Sequence, residues 1–272
     1  MSARAILAAL ALALAGCAGP QPAASPPVEF LLLGEVHDNP VQHQLRAERL
    51  AALLADGRPT AVVFEQMPAA RNDALQAQAR QTPRDVEALV AAGQLDQRAW
   101  RWPLHRPLLE ASVAGGARVL GGNLEREALR RVMRDGDAAW PPAALALAQR
   151  TPWGEPQQQA QLKAIDEGHC GLLPAAMHAP MARAQRARDA VMAETMLAAR
   201  AAGAARVVLI AGNGHVERDL GVPRYLEAAG VAPQRIHAVG YLEAGQPGSG
   251  RYDERVDTVA ATREDPCKAL QR

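Results

Sequence analysis

Lysine is nearly missing from this 272-residue chain: of its 30 basic residues only Lys163 and Lys268 are lysines. The heavy use of arginine and alanine reads as coding bias toward GC-rich codons and carries no functional weight. Excess charge of either sign is also lacking, with 30 basic against 29 acidic residues and a formal charge of +1. Without a basic face to hold a phosphate backbone, nucleic-acid binding is excluded. Aromatics make up only 3%, as two Phe, four Trp and three Tyr. Beyond the N-terminus no apolar run is long enough to span a bilayer. The chain is nonetheless 49% hydrophobic, enough for one large domain or a core with a modest insertion, so disorder is excluded.

Residues 2–16, SARAILAALALALAG, place Arg4 before an apolar run that is too short for a membrane span and closes on small residues. That is the pattern of a secretory signal peptide. It ends in Leu14, Ala15, Gly16 and Cys17, which resembles the bacterial lipobox, so residues 1–16 are expected to be removed and Cys17 to carry the lipid; the alternative is an ordinary cleavage site with a chance cysteine. Ala18 follows where an Asp would retain the protein at the inner membrane, which points to the outer membrane, facing the periplasm. Residues 17–28 are then a Pro/Ala tether between the lipid surface and a soluble body. Two cysteines remain, Cys170 and Cys267. In an oxidising envelope they are expected to pair and staple the tail near residue 170; a soft-metal site of Cys170 with His169 is the alternative.

Five apolar runs have strand character: Phe30 to Leu33, Ala61 to Phe64, Arg118 to Leu120, Val207 to Ile210 and Ile236 to Val239. Stretches with helical spacing separate them, which predicts an α/β domain over 29–272 with a mainly parallel central sheet flanked by helices. Residues 69–114 hold two or three helices. A small helical cap is expected at about 135–180, inserted between strands three and four, followed by a helix from about Pro180 to Ala202.

Ligands of open α/β sheets collect at the carboxyl ends of strands. The first strand exits into Gly34, Glu35, Val36, His37, Asp38, Asn39 and Pro40. Glu35 and His37, two apart, fall on one side of the chain, while Asp38 or Asn39 can cap the next helix ahead of Pro40. The second strand exits into Glu65, a carboxylate that is costly there unless paired. The fourth exits into Gly212, Asn213, Gly214 and His215, so a second GxxH tetrapeptide brings His215 toward His37. On the long helix Gln185, Arg188 and Asp189 form either an inward cluster over the pocket or an Arg/Asp brace. His43 is read as facing solvent, with the pocket as its alternative. Trp100, Trp102 and His105 are read as packing a loop against the core, and His237 as a core or edge residue.

Taken together, GEVHDNP, FEQMP, HCGLLP, MARAQRARDAVMA and LIAGNGHVERDLGVP resemble the ChaN family of haem-binding uptake lipoproteins, in order over residues 29 to 242. That family is assigned to a superfamily with the Tiki and TraB proteins and the erythromycin esterases. The superfamily likeness implies a pocket of Glu35, His37, Glu65 and His215, with Arg188 and Asp189 beside it. Tiki members are described as metal-dependent proteases. On that pattern His37, Glu65 and His215 would hold a divalent metal ion, with Glu35 as the base; Glu35 and Glu65 are the catalytic candidates. The ChaN likeness implies instead iron acquisition, with haem bound at a homodimer interface through a tyrosine. The cap has no tyrosine, since Tyr225, Tyr241 and Tyr252 lie in the C-terminal third. The axial ligand is therefore unknown, with His169 and His178 as candidates and Met177 beside them, and Trp140 and Trp153 could wall the slot.

Three readings follow. The first is an envelope lipoprotein binding haem or an iron compound. The second is a metal-dependent hydrolase. The third is a structural lipoprotein with an unused pocket, in which Glu35 would be an unpartnered buried charge and Glu35→Gln would stabilise the fold.

Overall fold

A computed structural model describes residues 27–245, 250–265 and 267–268. The signal peptide at 1–16, the lipid site at Cys17 and the tether up to residue 26 lie outside the described residues.

The sheet has six parallel strands in the order β3-β2-β4-β1-β5-β6. They are β1 (Phe30–Leu33), β2 (Thr60–Pro68), β3 (Arg118–Asn123), β4 (Arg206–Ile210), β5 (Ile236–Glu243) and β6 (Glu254–Thr258). The first five are those expected. β6, with sequence ERVDT, has no apolar run because it is an edge strand with one half-covered face. β2 continues through Glu65 to Pro68, past the expected end at Phe64, with a register shift against β3. Gly121 permits this: a Cβ there would lie 2.4 Å from the Pro68 carbonyl oxygen.

Alternation along the strands divides the interior in two. Phe30 and Leu32, with Ala61 and Val63, face one core; Leu31 and Leu33, with Val62 and Phe64, face the other. The second face is covered by α1 (Pro40–Leu54), α2 (Asn72–Gln81), α3 (Val86–Ala92) and α4 (Arg106–Ala114). The first is covered by α5 (Arg126–Asp135), α6 (Pro142–Arg150) and the long α8 (Ala175–Ala201), with α10 (Val222–Ala228). α7 (Glu155–Gly168) lies against α8, and the short α9 (Asn213–Val216) places Val216 in the same core.

The cap is smaller than expected. Trp140, Ala144, Leu147 and Ala148 are buried in the α8-side core, so α6 belongs to the body. Trp153 lies between the guanidiniums of Arg186 and Arg224 and, with Gln161, Leu162 and His178, lines a cavity of about 340 Å³, whereas Trp140 is buried in the core and walls no slot. α8 begins at Ala175, with Pro180 inside it. What stands off the body is α7 and the turn that follows. Only Gln161 of its 14 residues is buried.

Cys170 and Cys267 form a disulfide across 97 residues of chain. Cross-linking so large a loop removes entropy from the unfolded state. Cys170→Ser/Cys267→Ser is therefore expected to lose about 2–4 kcal/mol, measured by urea unfolding against the oxidised protein. Coincident transitions would show that the bond contributes nothing.

Candidate functional site

Asn39 starts α1 by accepting from the backbone N–H groups of Val41 and Gln42, and it also donates to Glu243. From there the inward face of α1 runs Gln42, His43, Arg46, Leu50, Leu54, all buried. The stripe is polar toward the carboxyl edge of the sheet and apolar toward the other.

Glu35 follows Leu33 with the same parity and so enters this α1 side. Its Oε2 receives the Arg46 guanidinium, and its Oε1 accepts from His105 Nε2 at 2.9 Å, Gln66 Nε2 at 3.3 Å and His37 Nδ1 at 2.7 Å. Burial opposes the charge on Glu35, but Arg46 and His105 outweigh it and hold the carboxyl well below its ordinary range. The same burial, with Arg46 adjacent, pushes His43 down to about 4 despite the nearby Glu35. His43 is thus a buried neutral imidazole 2.7 Å from Arg46, which corrects the solvent-facing reading; Trp100 and Trp102 pack against the core as expected, and His105 is buried with them as a partner of Glu35.

Glu65 has the opposite parity and enters the α8 side. Its Oε1 meets Arg188 and lies 3.3 Å from His215 Nε2, and its Oε2 accepts from the Gly212 N–H at 2.8 Å. His215 Nδ1 lies 2.5 Å from Asp189 Oδ1. Arg188 and Asp189 thus brace α8 against the sheet through different partners, Arg188 through Glu65 and Asn123 and Asp189 through His215. Burial disfavours the charged imidazole, yet Glu65 and Asp189 overcome this and raise His215 to about 9. Burial likewise opposes ionisation of Glu65, but His215 and Arg188 keep it well below its ordinary value, whereas burial pushes Asp189 up.

The expected single hollow is thus two buried polar clusters, one on each face of the sheet. They meet at His37, whose side chain is 48% exposed and whose ring stands edge-on to Trp100. Gly212 makes the meeting sterically feasible, since a Cβ there would lie 2.8 Å from the His37 ring and 3.7 Å from Glu65 Oε2. Burial lowers the pKa of His37, but Glu65 and Glu35 together raise it overall. Beside it opens a cavity of about 610 Å³ lined by Glu65, Gln66, Trp100, Asn123 and Arg188.

The geometry does not supply the expected metal ligands. Both ring nitrogens of His215 face carboxylates, Nδ1 toward Asp189 and Nε2 toward Glu65 at 3.3 Å, while His37 turns its Nδ1 to Glu35. Among the described residues, the one trio with donor atoms within 4.8 Å of one another is Glu35, His43 and His105, not His37, Glu65 and His215. Arg46 already binds both Glu35 and His43, so a guanidinium supplies the positive charge there.

On the cap, His169 ends α7, with Nδ1 2.7 Å from the Ile165 carbonyl oxygen. It lines a cavity of about 230 Å³ with Ile165, Gln185, Asp189, Glu217 and Leu220. His178 Nε2 is 3.4 Å from Asp166 and closed to solvent. Tyr225 and Tyr241 are buried in opposite cores. His237 Nε2 lies 3.2 Å from Glu254, which also binds Arg49, a brace across the sheet edge.

Two measurements follow. Glu35→Gln leaves Arg46 buried without its counter-charge and is expected to destabilise the fold by about 3–5 kcal/mol; a gain in the urea midpoint would restore the unused-pocket reading. The two histidines bracket an optimum. Stability from His215 is complete below pH 6.5 and lost as pH rises to about 9. Stability tied to neutral His43 is complete above 6.5 and lost as pH falls to about 4. The urea midpoint should peak near pH 6.5, and His215→Gln should flatten an alkaline limb of about 3 kcal/mol. An unchanged limb in that variant would refute the assignment.

A family profile described as haem-binding uptake, Tiki superfamily, ChaN matches residues 25–226. No curated protein matches the sequence. Among solved structures, one described as cofacial haem binding to ChaN of Campylobacter jejuni superposes with a TM-score of 0.66 at 19% identity, over 83% of this chain and 86% of that one. An erythromycin esterase in its open conformation gives a TM-score of 0.43 at 14% identity, over 82% of this chain and 74% of that one. At these identities the likeness is one of fold. With most of its length matched by the profile, the chain belongs to the ChaN family of haem-binding uptake proteins in the Tiki superfamily.

Proposed function

We propose that this chain binds haem on its cap with His169 as axial ligand, and that it does so as an outer-membrane lipoprotein of iron uptake, facing the periplasm. The observation that carries this reading is the His169 ring itself. Its Nδ1 is held 2.7 Å from the Ile165 carbonyl oxygen. That contact selects the tautomer with the lone pair on Nε2 and fixes the ring, as ligating histidines require. Ile165 and Leu220 give the adjoining cavity an apolar wall suited to a porphyrin edge. His178 has its Nε2 closed off, and the buried tyrosines are unsuited to the role. Leu172 beside the turn is 46% exposed, and a second copy packed there would bury it together with the ligand, consistent with a homodimer.

A metal-dependent hydrolase is less well supported. It needs His37, Glu65 and His215 to converge on one ion, whereas the trio whose donor atoms do converge among the described residues, Glu35, His43 and His105, already holds Arg46.

Haemin added to the purified protein is expected to give a Soret shift at near-stoichiometric amounts. His169→Ala should weaken binding by about tenfold or more, and His178→Ala should leave it unchanged. A spectrum that does not change through a full titration would remove this reading; equal binding by His169→Ala would remove the ligand assignment.

A further inference from the structure

α7 is poorly secured by packing. Only Gln161 of its 14 residues is buried, so the apolar burial that normally holds a helix is nearly absent. Its C-terminal end is instead tied by the turn that carries His169. The Cys170 N–H donates to the Glu167 carbonyl at 3.0 Å and the Gly171 N–H to the Asp166 carbonyl at 2.9 Å. Cys170 and Gly171 both take left-handed backbone conformations, with φ of 60° and 67°. Such a conformation is unfavourable for cysteine and persists only where the surroundings impose it.

The capping bonds of the turn impose it locally, and the disulfide to Cys267 adds a covalent tie to the C-terminal tail. That tail is anchored at its other end. Asn39 donates to the Val259 carbonyl at 2.9 Å, the Ala261 N–H donates to Glu243 at 2.9 Å, and Arg263 binds Asp38 at 2.7 Å as well as Glu243. The residue next to His169 is thus tied covalently to a strap rooted in the loop that also carries His37.

We propose that the Cys170–Cys267 disulfide is a redox latch on the cap: oxidised, it holds the end of α7 and presents His169 to the haem; reduced, it frees that end and lets the haem go. The latch rests on the reading of His169 as axial ligand. The reductant is a dithiol, such as a thiol–disulfide exchange protein. One of its thiolates attacks the sulfur of Cys267, the S–S bond breaks, and Cys170 leaves as a thiolate that takes up a proton. The second thiol of the reductant then attacks the mixed disulfide and releases Cys267. Two electrons pass to the protein, and the reductant ends as a disulfide.

The test compares the oxidised full chain with Cys170→Ser/Cys267→Ser, which avoids adding thiols to haem. Amide hydrogen exchange is followed in α7 and in β1 and β4, and haem release is timed by transfer to excess apomyoglobin. The variant is expected to lose protection through α7 beyond the uniform loss that its lower global stability imposes on the strands, and to release haem about tenfold faster. Equal α7 protection, or equal release from both proteins, would overturn the latch. If neither protein takes up haem, the haem reading falls, and the latch as the regulator of that site falls with it; α7 exchange then reports only whether the bond orders the helix. Should the double variant fail to fold, wild type reduced with a phosphine and alkylated after folding serves in its place, with the same outcomes.

Discussion

Two carboxylates at one rim of a parallel sheet with opposite pleat parity enter different layers, so each needs a cation of its own there, and the rest of the rim is arranged around that constraint. Glu35 turns under α1 and meets Arg46; Glu65 turns under α8 and meets Arg188 and His215. Each charge sits where water is excluded, so each depends on its partners to remain ionised. The helices must therefore bring cations to fixed heights. On α1 the spacing of Asn39, Gln42, His43 and Arg46 does this, and on α8 the spacing of Gln185, Arg188 and Asp189. The two systems remain separate except where His37 passes over Gly212.

The order and class of the elements were legible because near-continuous apolar strands separated by helical spacing admit few other solutions. β6 was not, because an edge strand half covered on one face needs no apolar run. The GxxH tetrapeptides and Glu65 could be found from their position after apolar runs. Arg46, His43 and His105 were harder to see. The first two lie on a helix stripe that is apolar only in its lower half, and a search for apolar periodicity reads past the polar half. His105 lies 70 residues from Glu35, the carboxylate it serves. Pairing of opposite parities across two faces is a property of the assembled sheet, and for that reason the sequence suggested one hollow where there are two clusters.

The same logic separates this chain from a metal-centred reading of its motifs. Imidazoles and carboxylates are interchangeable in a motif, but not once their lone pairs have been assigned. Flanked by Glu65 and Asp189, His215 serves as a counter-charge to both, and Arg46 sits within the trio that otherwise most resembles a metal cage. His169, bonded through Nδ1 to a backbone carbonyl, keeps Nε2 available. The cap thus retains the coordinating capacity that the sheet rim has spent on charge pairing.

The path by which the chain enters the sheet gives the body a direction. Glu29 is hydrogen-bonded to Arg235 and accepts from Val207 at the beginning of the strands, whereas His37, His215 and the disulfide-bound strap gather where the strands end. Any load applied ahead of residue 27 therefore pulls on the pole opposite His37.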